Sequence, residues 1–211
     1  MCIRDRIVNV DGERFLDEGA DFRNYTYVTY GRALMTQPQG LAFQVFDNKV
    51  KHLLRDEYWI PQATMVEANT LEELAARLDI DVEGLVNTVK EYNAAIQTDI
   101  PHNPTVKDGR GTTGLTVNKT NWAETIDTPP YMGWAVTTGI SFTFGGVKIN
   151  TRGQVVTNAQ DPIPGLYAAG EMVGGLFYYN YPGGSGLSAG MVFGKLSGTS
   201  AAEDAKILQD I

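Results

Sequence analysis

Between residues 70 and 97 the apolar positions fall at helical spacing. Leu71, Leu74, Ala75 and Leu78 form one stripe, and Leu85, Val86, Val89, Tyr92 and Ile96 form a second, so residues 70–79 and 81–97 are predicted to be two helices. Thr70 with Glu73 makes a capping box for the first, and Asp81 stands where the second needs a cap. Elsewhere the pattern is extended. Ile7 to Val10, then Asp11-Gly12, then Glu13 to Leu16 predicts a hairpin, because Asp-Gly supplies the positive φ angles of a tight turn. Residues 41–46 read as a strand closed by Asp47-Asn48. Residues 17–32 are polar and tyrosine-rich (Tyr25, Tyr27, Tyr30) and predict no element, and residues 98–130 read as loop, with Pro101, Pro104, Pro129 and Pro130. Beyond Tyr131 the pattern changes. Residues 139–150 read as a strand, Thr151-Arg152-Gly153 as a turn, 154–156 as the returning strand and 166–170 as a short buried strand. A glycine-rich loop and a helix from about 186 to 205 follow. The expected boundary is near residue 140, between a mixed α+β piece and a strand–hairpin–strand–loop–helix unit. No internal repeat is present.

Composition narrows the class. The 211 residues carry 17 basic and 25 acidic side chains, a formal net charge of −8, and 43% are apolar. This is globular composition rather than disorder. The acidic balance argues against nucleic acid, which demands a positive footprint. No run approaches the ~18 apolar residues of a membrane span. A single cysteine, Cys2, excludes an internal disulfide framework and a cysteine-rich zinc site. His52 and His102 are far apart, so no metal site is expected. The expected setting is cytoplasmic. The opening residues 1–6 lack the apolar run of a signal peptide. They resemble a translated adaptor scar, with native sequence beginning near Ile7.

Several motifs weaken on inspection. Gly109, Gly111 and Gly114 spell G-x-G-x-x-G, but neither the strand before nor the helix after is present, so a surface loop is expected. Lys195 and Ser197 lack phosphate-loop spacing. Asn24 and Asn118 match a glycosylation acceptor by chance. His52 and His102 read as solvated surface. Asp17, Glu18 and Asp21 could serve as an acid/base group but read as a solvated loop.

The C-terminal stretch carries more. Gly170 and Glu171 end a strand of small residues, where a ligand can approach closely. Glu171 is placed to accept from a ribose hydroxyl. The loop 183–186 feeds a helix, so the N–H groups about Gly184, Ser185, Gly186, Leu187 and Ser188 point out of a positive dipole end. That end would stabilise negative charge on a planar heterocycle. Gly186, Gly190, Gly194 and Gly198 recur every fourth residue and read as a bare packing stripe.

These residues resemble the flavin-contacting segment of the fumarate reductase/succinate dehydrogenase flavoprotein family. The family's strand ending in A-A-G-E, its G-G, and its G-G loop opening the last helix stand at residues 168–175 and 183–188. Residues 10–18 are similar to the lead into that family's capping domain, residues 71–97 to its helix pair, and residues 138–147 to its return strand. The subgroup nearest by Asp21-Phe22-Arg23, residues 141–146 and residues 177–186 is the FAD-dependent tricarballylate dehydrogenases. The resemblance implies an α/β fold: most of an α+β capping domain over residues 7–140, and the C-terminal portion of a Rossmann-like FAD-binding domain over residues 141–211. It implies FAD, a small carboxylate substrate, hydride transfer between a substrate carbon and flavin N5, and a separate electron acceptor. An arginine of the cap would handle the second proton. Arg23 follows residues 14–18 at nearly the family distance, and Arg32 is the alternative. The pocket would include Phe142, Thr143 and Asn180. Phe142 stands where the family has a substrate-binding histidine, and Tyr181 where it has a carboxylate-clamping arginine. These departures weigh against simple fumarate or succinate chemistry. Tyr181 also occupies the position of a ketone-polarising tyrosine in the related 3-oxosteroid dehydrogenases, so a 3-oxosteroid-type dehydrogenase acting on an enone is one enzymatic alternative, and a fumarate-reductase-type enzyme is the other. The non-enzymatic alternative is that the chain is a fragment unable to hold flavin, because the strand–G-x-G-x-x-G–helix unit is not in it.

Overall fold

The computed structural model describes residues 6–209. All of the expected adaptor scar except Arg6 therefore lies outside the described residues, as does Cys2. The chain forms two compact units, one up to Gly139 and one from Ile140 onward.

The first unit is built on a four-stranded antiparallel sheet in the order β1-β2-β4-β3, with β1 at Arg6–Val8, β2 at Leu41–Phe46, β3 at Met65–Ala68 and β4 at Tyr131–Thr137. The period-two alternation of β2 sorts its side chains. Leu41, Phe43 and Val45 join the core under helices α2 (Leu71–Leu78) and α3 (Val82–Ala94), whereas Ala42 and Phe46 enter clusters on the opposite face. β4 does the same with Tyr131 and Ala135 against Met132 and Trp134. A sheet covered on both faces explains why β2 is buried along most of its length.

Both helices of the pair form where their stripes and caps predict. Thr70 Oγ1 accepts the Glu73 N–H at 3.1 Å, but the Glu73 carboxylate reaches Asn69 N at 3.3 Å, one residue before the cap. Asp81 accepts the Gly84 N–H at 2.6 Å. α3 ends at Ala94, and Ile96 turns out to bridge Thr112.

The hairpin expectation is met only as a turn. Asn9 Oδ1 accepts the N–H groups of Asp11 and Glu13, each at 3.0 Å, and Val8 makes one bridge to Arg14, but the ladder partner of β1 is β2. Gly12 sits at φ +75°, and a Cβ there would strike the backbone of Gly84 and Leu85, so the turn can lie directly on the start of α3.

The polar stretch expected to lack structure contains helix α1, Arg23–Met35. Only Thr26, Tyr30 and Leu34 are buried on it, one residue per turn, which leaves too narrow a stripe to register as periodicity. Tyr30 and Leu34 pack with Ile7, Leu16 and Ala42.

The long loop 98–130 has no regular element but is tightly tied. Asp108 accepts backbone N–H groups from Asn103, Arg110 and Trp122, and the fully buried Trp122 indole donates to Val106 O at 2.7 Å. Gly111 of the G-x-G-x-x-G string is buried within this loop, against Lys119 O. His102 is not solvated surface, since its Nδ1 lies 3.4 Å from Asp108.

Glu18 also departs from expectation, because it has no exposure at all. It accepts the Ile7 N–H at 2.9 Å, Arg14 Nε at 3.0 Å and Arg14 Nη2 at 2.6 Å.

The second unit pairs β5 (Gln154–Val156) with β6 (Pro162–Tyr167) and closes with helix α4, Ser185–Gln209. The strand expected over 139–150 does not form. Among the described residues it makes only single bridges, Val147 to Val173 and Ile149 to Val155, because no ladder partner runs alongside it. The strand expected at 166–170 is shifted earlier, and Leu166 is exposed while Ala168, beyond the strand end, is buried. Asp204 ties α4 to this sheet through Arg152 at 2.6 Å and through the Tyr167 hydroxyl. The glycine stripe packs only at its start. Gly186 meets Phe142 and Gly190 lies near Gly170, but Gly194 and Gly198 face open space among the described residues. No helix among the described residues is long and apolar enough to cross a membrane.

Burial alone would raise the Glu18 pKa, but Arg14, with Lys119 and Arg6, holds it below the ordinary carboxylate value. A group depressed in the folded state stabilises fully above its unfolded pKa, and that contribution fades as the pH falls through the folded value. Glu18→Gln leaves Arg14 buried beside a neutral amide and is expected to lower the unfolding free energy by about 3–5 kcal/mol at neutral pH. Denaturant unfolding followed by circular dichroism should show this loss at pH 7, together with a weaker acid dependence than that of the parent protein.

Candidate functional site

In the second unit, three loops meet around the start of α4. Gly184, at φ +88°, lets the chain turn sharply into the helix, and no atom lies within 4 Å of where its Cβ would be. The Ser185 N–H is used by Pro182 O at 3.1 Å and the Ser188 N–H by Gly184 O at 3.2 Å. The N–H groups of Gly186 and Leu187 have no partner among the described residues, as expected of a first helical turn. Leu187 is 78% exposed, so these donors and the positive end of the helix dipole open outward. Gly170, at φ +82°, is equally open and lies beside Gly190. Glu171 Oε1 accepts the Thr143 N–H at 2.8 Å, which joins two of the expected site residues and leaves the other carboxylate oxygen outward.

Behind the loop stands a cluster of rings. Tyr181 is buried at its centre, with ring centroids 4.9 Å from Phe142, 5.7 Å from Phe144 and 5.7 Å from Phe177. Asn180 Oδ1 accepts the Tyr181 N–H at 2.9 Å. A Cβ on Gly186 would come within 2.6 Å of the Phe142 ring, so this glycine is what lets the ring lie close against the helix start. Of the expected residues of this unit, the structure thus brings Phe142, Asn180, Tyr181 and Gly186 together, and pairs Thr143 with Glu171.

In the first unit Arg23 opens α1, and its Nη1 lies 2.6 Å from Glu57 Oε1. Arg32 stands on the same helix nine residues later, roughly 13 Å along the axis at 1.5 Å per residue, and is exposed. The two arginines therefore do not share a site. Glu57 lines a cavity of about 370 Å³ together with Gln44, Tyr58, Ile60, Trp134 and Val136. Nothing in the sequence marks Glu57, which joins Arg23 across 34 positions and belongs to no periodic element.

The outward N–H groups of the α4 start, the open glycines Gly170 and Gly184, and the exposed Leu187 fit a planar, electron-rich cofactor resting on backbone. The FAD binding domain family matches residues 6–187. The chain is 34% identical to the NADH:fumarate oxidoreductase of Klebsiella pneumoniae (strain 342) over 202 residues, covering 95% of this chain and 20% of that protein. It is 32% identical over 201 residues to the probable fumarate reductase Ifc3 of Shewanella frigidimarina (strain NCIMB 400), covering 94% of this chain and 31% of that one. The solved open conformation of a flavocytochrome c3 fumarate reductase superimposes with a TM-score of 0.71 at 30% identity, over 96% of this chain and 33% of that one. The chain belongs to the FAD binding domain family, with the α/β flavoprotein fold and FAD as cofactor. It spans about a fifth to two fifths of the length of the curated relatives it matches.

Gly186→Ala forces the Phe142 ring to move. Overpacking of this kind costs about 1–3 kcal/mol, and FAD affinity in the full-length protein is expected to fall about tenfold or more. Fluorescence titration of the apoprotein with FAD measures it, and unchanged affinity would show that the Phe142–Gly186 contact does not shape the cradle.

Proposed function

We propose that this chain is part of an FAD-dependent oxidoreductase acting on a CH–CH group. The observation that carries the proposal is the open start of α4 flanked by Gly170 and Gly184, a backbone cradle with unspent donors and no side chain in the way. FAD, when bound, supplies the acceptor or donor for a hydride. The N–H groups of Gly186 and Leu187, with Ser185 and Ser188 on either side, would stabilise negative charge on it, and Glu171 would accept from its ribose. Residues 7–140 would form most of the capping domain and residues 141–211 the C-terminal part of the FAD-binding domain. The exposed apolar face of α4, with Leu187, Met191 and Val192, would pack against the remainder of that domain. A separate acceptor would take the electrons onward.

Arg23 is the better candidate for moving the second proton. A guanidinium serves in proton transfer only when it is fixed in place, and the Glu57 contact fixes it. Arg32 remains the alternative. The substrate we favour is a small carboxylate, with a tricarballylate-type polycarboxylate oxidised to its alkene as the specific candidate. A second reading has support in the ring cluster. Phe142 and Tyr181 bring no positive charge to the loop, and a tyrosine hydroxyl among rings suits an enone or 3-oxosteroid carbonyl.

The test is anaerobic bleaching of the full-length, FAD-loaded protein. Loss of the flavin absorbance with tricarballylate but not with a 3-oxosteroid supports the carboxylate reading, and the reverse result replaces it with the second. Flavin that dithionite reduces but neither substrate class bleaches overturns both. Protein that stays colourless after reconstitution with FAD overturns the proposal as a whole.

A further inference from the structure

We infer that Glu57 is a positioning residue for Arg23. The inference rests on the reading of Arg23 as the proton-handling arginine. Arg23 is the first residue of α1, at the positive end of the helix dipole, and the first turn contains no acidic residue. A cation there is disfavoured, so the helix itself gives no reason for an arginine at this position. The compensating charge comes from another element, through the 2.6 Å contact of Nη1 with Glu57 Oε1. The pair is partly exposed, with side-chain exposures of 33% and 49%, and ion pairs of that kind contribute little to stability. Folding therefore does not account for it either.

Both ends of the contact are held rigidly. Phe22, which precedes Arg23, packs its ring 5.1 Å from the buried Trp122. Glu57 lies in a short 3-10 turn, Asp56–Tyr58. Its neighbour Tyr58 is buried, stacks edge-on against Phe46 and Trp134, and has its carbonyl bonded by Trp134 Nε1 at 3.0 Å. Two anchored segments thus present one carboxylate to one guanidinium at the edge of the cavity that Glu57 lines. Arg55 Nε lies 3.6 Å from the other oxygen of Glu57. A single N–H of Arg23 is committed, and among the described residues its remaining donors have no partner. Such a local rule broken at one site and compensated from a rigid neighbour marks a site shaped for chemistry.

The experiment uses the full-length flavoprotein and compares Arg23→Gln, Glu57→Gln and Glu57→Asp with the parent in steady-state turnover of whichever substrate bleaches the flavin. Glu57→Gln is expected to keep its flavin and its melting temperature, to leave KM nearly unchanged and to lose about tenfold or more in kcat. Glu57→Asp, which retains the charge, recovers most of that loss. If Arg23→Gln is inactive while Glu57→Gln turns over like the parent, the positioning role is overturned and the Arg23 reading stands. If Arg23→Gln turns over normally, the Arg23 reading itself fails and the positioning role falls with it.

Discussion

A carboxylate without water must be satisfied by the protein around it, and Glu18 imposes that demand on the first unit. Its partners come from separate places in the sequence: the Ile7 N–H from β1, and the Arg14 fork from the turn after it, with Arg14 also reaching Val117 O at 2.7 Å. Lys119 contributes its charge from the long loop. Next to Glu18, Asp17 accepts from the Thr120 backbone and hydroxyl, and the Asn121 amide bonds Gly19 O at 2.8 Å. The segment 17–21 is thereby pinned between β1 and a loop a hundred residues away. α1 must start where this segment releases it, and the Tyr30 hydroxyl fixes the helix from the other side by donating to Asp17 O at 2.7 Å. The position of Arg23 is thus set by a buried charge five residues earlier.

What was legible in the sequence of this unit was what is decided locally. α2 and α3 declare themselves by stripe and cap, and β2 by a short apolar run with an acidic stop. α1 does not, because its buried face is one residue wide and its stability comes from packing on Ala42 and Ile7 rather than from propensity. Glu18 read as a solvated loop because a charge looks the same in sequence whether or not its partners are near. Glu57 was illegible for the same reason, since its role exists only through a contact across 34 positions.

The second unit shows the complementary failure. Residues 139–150 carry a strand's composition but make only isolated bridges, because a strand exists by its ladder and none forms beside it. The glycine stripe of α4 has the spacing of a packing face, yet only Gly186 and Gly190 have near neighbours among the described residues. The turn into α4 is legible, because glycines at positive φ and an N-terminal helix turn leave a direct mark in the sequence.

That difference separates what the fold specifies from what it leaves open. The cradle proposed for the cofactor is made by backbone: N–H groups at Gly186 and Leu187 without a partner among the described residues, and bare positions at Gly170 and Gly184. Side chains can change around such a cradle without dismantling it, so FAD is readable from the family and the fold together. The surface behind it is made by rings, with Tyr181 held by Phe142, Phe144 and Phe177. If that surface faces the substrate, as proposed, a single substitution that replaces a charge by an apolar face or a hydroxyl would change selectivity. Membership of the family therefore fixes the cofactor far more tightly than the substrate, and on the reading proposed above the substrate would be chosen by a few positions, Phe142 and Tyr181 above all, where aromatic side chains stand behind the start of α4.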